Sequence, residues 1–320
     1  MLILSLIIIK FSNSERIHSC FSNITIKIMG PGTKNILYGD ECLINSVKSN
    51  IILPDEIYLN DIKQTDIKVK YDLDDKLYII KLVWNNITSN CNCLFKDCID
   101  IFEIDFSGFD FSQGLSANQM FSNCTSLTSL NLHDFGTIKI INSGSMFSFC
   151  SSLIFLNLSQ FDVTTVSDMG AMFYGCHLLT SLDLSNFITS QVSTAEMMFY
   201  DCPNLVYLNL KNAHFCHGNT NINNFLLASK NIVLCTGCDP IRSLVNNYGC
   251  AMVNCTENWK QNQKKLNIES NECVTDCSLT NNKYNYISKC FTTCPNGTYN
   301  NNFICESCHP DCKICDKSLK

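Results

Sequence analysis

A unit of 26 residues repeats four times without a gap, and this regularity limits the possible folds more than any other feature of the chain. Each unit contains Met-Phe, followed three residues after the phenylalanine by a cysteine: Cys124, Cys150, Cys176 and Cys202. A weaker first unit begins near Cys98. Repeats of this length are typical of solenoids, in which each unit buries its apolar side against its neighbours.

A leucine pattern follows each cysteine and predicts a strand. After Cys124, the residues Leu127, Leu130 and Leu132 have the spacing L-x-x-L-x-L. Leu130 and Leu132 alternate with Asn131, so the two leucines should point into the core while the asparagine points outward. The same spacing recurs at Leu153, Leu156 and Leu158, at Leu179, Leu182 and Leu184, and at Leu205, Leu208 and Leu210.

The second half of each unit has the spacing of a helix face. Val166, Met169, Phe173 and Cys176 follow the pattern i, i+3, i+7 and i+10. We therefore predict an α/β leucine-rich-repeat solenoid over residues 98–215, with one short parallel strand and one short helix in each of five units, the first and last degenerate. The five cysteines should stack along the interior, either as small buried apolar side chains or as disulfides between neighbours.

The unit MF-x-x-C-x-x-L-x-x-L-x-L-x-x-F resembles the BspA-like leucine-rich repeats of microbial surface proteins, over about residues 98–215. The chain departs from the pattern at both ends. Gly114 stands where later units have Ile140 and Val166, and the last unit ends at Ala213-His214. The resemblance implies display at a surface and a role in adhesion or recognition, without indicating the partner.

The N-terminal residues have the pattern of a secretory signal. Met1–Ile9 is apolar apart from Ser5, too short to span a bilayer but typical of the apolar part of a signal peptide. Ser12 and Ser14 supply small residues for cleavage, so we predict a signal peptide over residues 1–14; the alternative is a buried N-terminal strand. We expect a secreted or cell-surface protein, and no other apolar stretch is long enough to span a membrane.

Residues 15–97 alternate as β-strands do, at Ile24–Ile28 and at Leu77–Trp84, and predict a β-rich cap over the first repeat. Cys20 and Cys42 are candidates for a disulfide, and Cys91 and Cys93 could link this cap to the solenoid. Three aspartates, Asp72, Asp74 and Asp75, lack the spacing of a calcium loop and indicate a turn.

Residues 216–320 form a cysteine-rich region, with thirteen cysteines between Cys216 and Cys315. The stretch 273–315 resembles the furin-like repeats of growth-factor receptors, in its spacing and in Cys290-x3-Cys294-Pro-Asn-Gly-Thr-Tyr. The resemblance implies a disulfide-rich region dominated by loops, because such segments bury little apolar surface. Zinc is the alternative for the paired cysteines and would require an intracellular protein. The disulfide candidates in this region are Cys273, Cys277, Cys290, Cys294, Cys305, Cys308, Cys312 and Cys315.

The sequence indicates a protein without catalytic chemistry. It has no nucleophile elbow, metal-protease, phosphate-loop or dinucleotide motif, so we expect no enzyme activity, no cofactor and no metal. The net charge of −6 offers no basic surface for nucleic acid. Six N-x-[ST] sequons are glycosylation candidates: Asn23, Asn86, Asn123, Asn157, Asn254 and Asn296.

These observations favour a recognition or adhesion protein that presents the outer side of its strands to a protein or glycan on another cell or in the matrix. Phe155 and Tyr207 are the candidate anchors, since aromatic residues dominate interface energetics. A glycan on Asn157 would block this surface. The alternatives are a structural coat or spacer without a selective ligand, and an intracellular zinc-binding scaffold. The predicted contact residues are Glu103, Asp105, Ser129, Asn131, Phe155, Asn157, Ser181, Asp183, Tyr207 and Asn209.

Overall fold

The computed structural model describes residues 22–39, 52–86, 90–132, 137–213, 215, 220–226 and 232–244, together with the backbone of short strands between residues 250 and 307. The first six strands belong to the cap: β1 (Ser22–Met29), β2 (Gly32–Asn35), β3 (Glu56–Leu59), β4 (Ile62–Lys63), β5 (Lys70–Leu73) and β6 (Leu77–Trp84). The solenoid strands are β7 (Ile101–Gly108), β8 (Leu115–Ser116), β9 (Ser129–Asn131), β10 (Ile138–Asn142), β11 (Phe161–Asp162), β12 (Ser181–Asp183), β13 (Tyr207–Leu210), β14 (Val233–Thr236) and β15 (Cys250–Met252).

The cap and the solenoid share one sheet. Its strand order is β4-β3-β6-β1-β7-β9. Within the cap β1 pairs antiparallel with β6, and on its other edge β1 pairs antiparallel with β7, the first strand of the solenoid. The next pair, β7 with β9, is parallel. The cap therefore covers what would otherwise be the open edge of the first coil, the usual requirement of a terminal unit in a stacked repeat.

This sheet ends at β9, and parallel pairing resumes at Phe155, again at the 26-residue period. Phe155 forms a bridge with Ser181, β12 pairs with β13, and β13 pairs with β14. The parallel pairing does not end at residue 215, where the leucine pattern predicted the solenoid would end, because β14 and β15 extend it. A second parallel sheet, β8-β10-β11, lines another side of the coils.

The predicted helix in each repeat is wrong, and the described coils are closed by runs of turns. Among the described residues one short helix occurs, α1 (Asp239–Leu244), and it lies after the repeats. In the turn segment, Met120 and Ser122 donate to carbonyls three residues back, whereas Gln119, Phe121 and Asn123 donate to carbonyls of the next coil. Because alternate N–H groups leave the coil, the continuous i to i−4 ladder of a helix cannot form.

Backbone dihedrals in this segment also exclude a helix. Gln119 and Asn123 have φ values of 55° and 62°, and the equivalent residues of the other coils repeat these left-handed positions. The burial pattern that suggested a helix is nevertheless real. Val166, Met169 and Phe173 are all completely buried. The turns therefore reproduce the spacing of a helix face without its hydrogen bonds, which makes the solenoid predominantly β.

A column of phenylalanine rings runs through the interior. The Phe121 and Phe147 ring centroids are 5.3 Å apart and nearly parallel, and Phe147 and Phe173 are 5.7 Å apart. Phe95 and Phe199 extend the parallel stack at its two ends. All five rings are completely buried or nearly so, so the column contributes both apolar burial and ring stacking.

The repeat cysteines form a second interior column of reduced thiols. The Cys124 thiol donates to the Phe95 carbonyl at 3.0 Å, and the Cys150 thiol donates to the Phe121 carbonyl at 3.1 Å. The Phe121 carbonyl also accepts the Cys124 backbone N–H. Burial raises the pKa of these thiols well above the ordinary value, so they remain protonated donors. The same arrangement recurs at Cys176 and Cys202, and neighbouring thiols are not joined by disulfides.

The cysteines at the cap junction are also reduced. Cys91, Cys93 and Cys98 are buried and form no disulfide, so the predicted covalent link between cap and solenoid is wrong. Hydrogen bonds connect the two regions instead: the backbone N–H of Tyr38 donates to the Leu94 carbonyl at 2.8 Å. An ion pair between Lys34 and Asp100, 2.7 Å apart, adds to this junction.

The described part of the cysteine-rich region consists of short β-hairpins. Its strands are β16 (Lys265–Asn267), β17 (Glu272–Val274), β18 (Tyr284–Tyr286), β19 (Lys289–Phe291), β20 (Thr298–Asn301) and β21 (Ile304–Ser307), in the order β17-β16-β19-β18-β21-β20. Cys235 and Cys238, at the end of the solenoid, are disulfide-bonded. The side chains of the predicted disulfide cysteines in 273–315, and the Cys20 and Cys42 pair, lie outside the described residues, as does the predicted signal peptide.

Candidate functional site on the outer sheet face

The ten predicted contact residues lie in two rows on one face of the solenoid sheet, here called the outer face. Strand registers align Glu103 with Ser129, and Asp105 with Asn131. They likewise align Ser181 with Tyr207. The first row is Glu103, Ser129, Phe155, Ser181 and Tyr207, and the second row is Asp105, Asn131, Asn157, Asp183 and Asn209.

The second row serves the fold. The side-chain oxygens of Asp105, Asn157 and Asp183 each accept the backbone N–H two residues later, at 2.8 to 3.0 Å. Such Asx turns end the strand and start the next corner of the coil. Asn131 in turn donates its amide to the Asp105 carboxylate at 2.9 Å. These side chains are held in place by the coil, which leaves the first row as the more variable part of the surface.

The outer face is most exposed in its middle, at Ser129 and Phe155, and is covered at its far end. Glu103 pairs with Lys27 of the cap at 2.8 Å, and the Phe155 side chain is 63% exposed. Tyr207 is only half-buried, but its neighbour on the same face, Asn209, is 5% exposed. Asn209 is therefore not available as a contact residue, which corrects the prediction. The usable part of the outer face extends from the cap to β12.

A groove of about 330 Å³ opens on this face beside Phe155. Its polar lining is held rigidly by the backbone: the Asn186 amide donates to the Leu158 and Phe161 carbonyls, both at 3.0 Å. Among the described residues, the lining contains hydroxyls, amides and one carboxylate but no lysine or arginine. These residues are Phe155, Leu156, Asn157, Ser159, Ser181, Asp183, Ser185 and Asn186.

A larger cleft of about 570 Å³ lies on the same face of the cap, and the sequence reasoning missed it. Tyr58 and Lys81 meet there because β3 and β6 align them as direct neighbours. The hydrogen bond from Lys63, and to a smaller extent the one from Tyr58, lowers the pKa of the Glu56 carboxyl. The bond to Glu56 raises the pKa of the Tyr58 hydroxyl. The charged and aromatic residues in the alternating segment Glu56–Leu59 were the available signal.

The sequons differ in whether their side-chain nitrogen is already used. Nδ2 of Asn23 donates to the Gly108 carbonyl at 3.3 Å, and Nδ2 of Asn123 donates to the Asp97 carboxylate at 3.0 Å. Asn86 and Asn157 are exposed. Two further candidates, Asn254 and Asn296, lie outside the described residues.

The sequence reasoning also missed an aromatic cluster in the turn segments of successive coils. Phe149, Tyr174 and Tyr200 form this cluster, and the side of the solenoid on which they lie is here called the turn edge. The rings of Phe149 and Tyr174 meet edge-on at 4.6 Å, and Tyr174 meets Tyr200 at 5.2 Å. Phe149 has a φ of 59°, which is unusual for a bulky residue. Its ring lies over Gly175, the equivalent residue of the next coil, where a Cβ would come within 2.7 Å of it.

Two further observations bear on function. Within the described part of the chain, no three histidine, cysteine or carboxylate side chains are close enough together to hold a metal ion. No helix among the described residues has the length and apolar character needed to cross a membrane.

The repeat region is similar to a known protein family. Residues 83–154 and 115–226 match the family described as Mycoplasma protein of unknown function, DUF285. The match begins at the end of the cap, includes the 26-residue repeats and covers less than half of the chain. No curated protein and no solved structure matches the chain. The family match and the stacked 26-residue coils together fit a BspA-like repeat protein.

Proposed function

We propose that the chain is a non-catalytic recognition protein, secreted or held at a cell surface, that presents the outer face to a protein or glycan on another cell or in the matrix. The observation that carries the proposal is the continuity of that face. One sheet runs from the cap strand β3 through β6 and β1 into β7 and β9, the first outer-face strands of the solenoid, so side chains from both regions are displayed side by side.

The contrast between inward and outward positions supports a role for display. Inside the coils the same residues recur, as in the phenylalanine and cysteine columns. On the first row of the outer face the residue changes from coil to coil, from Glu103 to Ser129 to Phe155. Inside the coils, each side chain must pack on the equivalent side chain of the next coil, so the same residue recurs. The first-row side chains do not pack in this way, so their identity can vary to suit a partner.

The cap cleft has the composition of an interface centre. Tyr58 offers an aromatic ring, and Lys81 and Glu56 offer charges of opposite sign. Aromatic residues at the centre of an interface, with charges that set orientation, account for much of the specificity of protein recognition. The cleft and the start of the solenoid, around Glu103, therefore form the proposed contact region.

Binding of the purified, fluorescently labelled chain to whole cells or matrix tests this region. Tyr58→Ser and Lys81→Glu should each lower binding by at least about tenfold, which corresponds to about 1.4 kcal/mol. Ile188→Ser is the matched control, because Ile188 is 52% exposed but does not line the outer face. Equal binding by all variants would instead support the structural coat or spacer.

Location is tested separately with an antibody to the repeat region on intact, unpermeabilised source cells. Labelling of intact cells, or protein in the culture supernatant, is the expected result. Labelling only after permeabilisation would contradict the proposal and favour the intracellular zinc-binding scaffold, for which metal content would be the next measurement.

A further inference from the structure

We propose that Asn157 carries an N-linked glycan whose first sugar stacks on the exposed Phe155 ring and occupies the groove beside it. This inference rests on the secreted or surface location in the proposed function. It goes further by assigning the centre of the outer face to the chain's own glycan, and it leaves the cap cleft and the start of the solenoid to the partner.

Phe155 and Asn157 are placed correctly for such a contact. The intervening Leu156 and the following Leu158 point into the core, so Phe155 and Asn157 share the opposite side of this segment, which pairs with the sheet through the Phe155–Ser181 bridge. Residues two apart in extended backbone are about 6–7 Å apart, close enough for a sugar attached to one to lie over the other. The phenylalanine ring is 63% exposed, with a face available to a ligand.

The Asn157 amide is oriented and accessible. Its Oδ1 accepts the Ser159 N–H at 3.0 Å, which fixes the carboxamide plane without using Nδ2. By contrast, Nδ2 of Asn23 and of Asn123 already donates to a protein oxygen. Among the described sequons, Asn86 is the other exposed asparagine, but the aromatic residue two positions before it, Trp84, is buried. Asn157 alone among the described sequons combines an exposed amide with an exposed ring.

The groove has the chemistry of a sugar site. Apolar faces of pyranose rings pack on aromatic rings, and sugar hydroxyls hydrogen-bond to hydroxyl, amide and carboxylate groups. Ser181, Asp183 and Asn186 supply those groups beside Phe155. The described lining residues include no lysine or arginine, which favours a neutral sugar over a phosphorylated or sulfated one.

The modification is an ordinary group transfer in a secretory compartment. Asn157 Nδ2 forms a bond to the anomeric carbon of a lipid-pyrophosphate-linked oligosaccharide and loses one proton. The bond between that carbon and the phosphate oxygen breaks, and the lipid pyrophosphate leaves. Ser159 completes the required Asn-x-Ser sequence.

Two substitutions separate the glycan from the ring. Ser159→Ala removes the sequon but keeps Asn157 and its bond to the residue 159 N–H, whereas Phe155→Ser removes the ring but keeps the sequon. The full-length chain is secreted from a eukaryotic host as wild type, both single variants and the double variant. Mass spectrometry of glycopeptides then measures occupancy, and thermal unfolding measures Tm.

Asn157 should be occupied, and Ser159→Ala should lower Tm by roughly 2–4 °C. In the Phe155→Ser background the same substitution should leave Tm unchanged, since the ring that the glycan contacts is already gone. Thr88→Ala, which removes the Asn86 sequon, is the matched control and should have the same effect with or without Phe155.

Other results would overturn the inference in distinguishable ways. An unmodified Asn157 in a secreted chain that carries glycan at Asn86 contradicts the inference alone, and so does an occupied Asn157 whose loss lowers Tm equally in both backgrounds. Failure of the chain to be secreted, with every sequon unmodified, contradicts the proposed function as well.

Discussion

The interior columns and the outer face of the same coils differ in how their residues are constrained. Inside, Phe121, Phe147 and Phe173 repeat both the residue and the geometry of their neighbours. Outside, Glu103, Ser129 and Phe155 occupy equivalent positions with unrelated side chains. The difference indicates that stability resides in the interior columns and that the first row of the outer face can be changed at little cost.

The largest effect is expected from the middle of the phenylalanine column. Phe147→Ala removes a fully buried ring that stacks on Phe121 and Phe173, and should lower the free energy of unfolding by about 3–5 kcal/mol. Urea unfolding followed by far-ultraviolet circular dichroism measures the change.

The matched change on the outer face is Phe155→Ala, made together with Ser159→Ala so that no glycan contributes. It should alter the free energy of unfolding by less than about 0.5 kcal/mol. Equal losses for Phe147→Ala and Phe155→Ala would contradict the division between interior and outer face.

Alkaline pH should weaken the interior selectively. Burial raises the pKa of Cys202 to about 12, whereas the pKa of a thiol in the unfolded chain is about 8.5. The contribution of each buried, protonated thiol to the free energy of unfolding is therefore complete below about pH 8.5. It decreases as the pH rises towards 12, by up to about 1.4 kcal/mol per pH unit for each such thiol. Urea midpoints at about pH 8 and pH 10 should show a smaller decline in Cys202→Ala than in the wild type, and identical declines would contradict this prediction.

A medium effect is expected at the turn edge. Gly175 has a φ of +70°, and a Cβ there would come within 2.7 Å of the Phe149 ring. Gly175→Ala should therefore cost about 1–3 kcal/mol through backbone strain and this contact. Phe149→Asn should recover part of the loss, because asparagine is smaller than phenylalanine and adopts a positive φ more readily, as Asn123 does at the equivalent position.

Gly237→Ala is the control for Gly175→Ala, since a Cβ at Gly237 has open space around it. It should change the free energy of unfolding by less than about 0.5 kcal/mol. If both alanine variants had the same stability in thermal unfolding, the contact between coils at Phe149 would not matter.

The smallest effect is expected at the ion pair on the outer face. The Lys27 and Glu103 side chains are about one third exposed, so Glu103→Gln should lower the free energy of unfolding by less than about 1 kcal/mol. The difference should disappear at high salt concentration. A larger loss that persists in salt would show that this part of the outer face also supports the fold.

The strands and the core could be predicted from the sequence, because alternation at Leu130 and Leu132 directly reflects which side faces inward. The backbone of the turn segment could not. The spacing of Val166, Met169 and Phe173 indicates burial on one side, but not that alternate N–H groups bond to the next coil. That choice depends on a neighbouring coil at a fixed distance, which no local pattern contains.

The candidate site was partly predictable for the same reason. The two rows of the outer face follow from the repeat, but the cap cleft depends on the alignment of Tyr58 with Lys81 across two strands. The covering of Asn209 likewise depends on its surroundings at the end of the solenoid, where the equivalent residue on β14, Cys235, is also buried. Neither the Met-Phe nor the cysteine pattern marks β14 as a further coil.

The direction of the bonds between coils determines how the solenoid responds to force. Bonds such as that from the Phe121 N–H to the Met146 carbonyl connect one coil to the next, so they lie along the stacking axis. A pull on the two ends loads these contacts in series, and the coils should detach one after another. Each detached coil releases 26 residues, which extend to roughly 90 Å. Single-molecule stretching should therefore show a series of nearly equal extension steps, one for each coil.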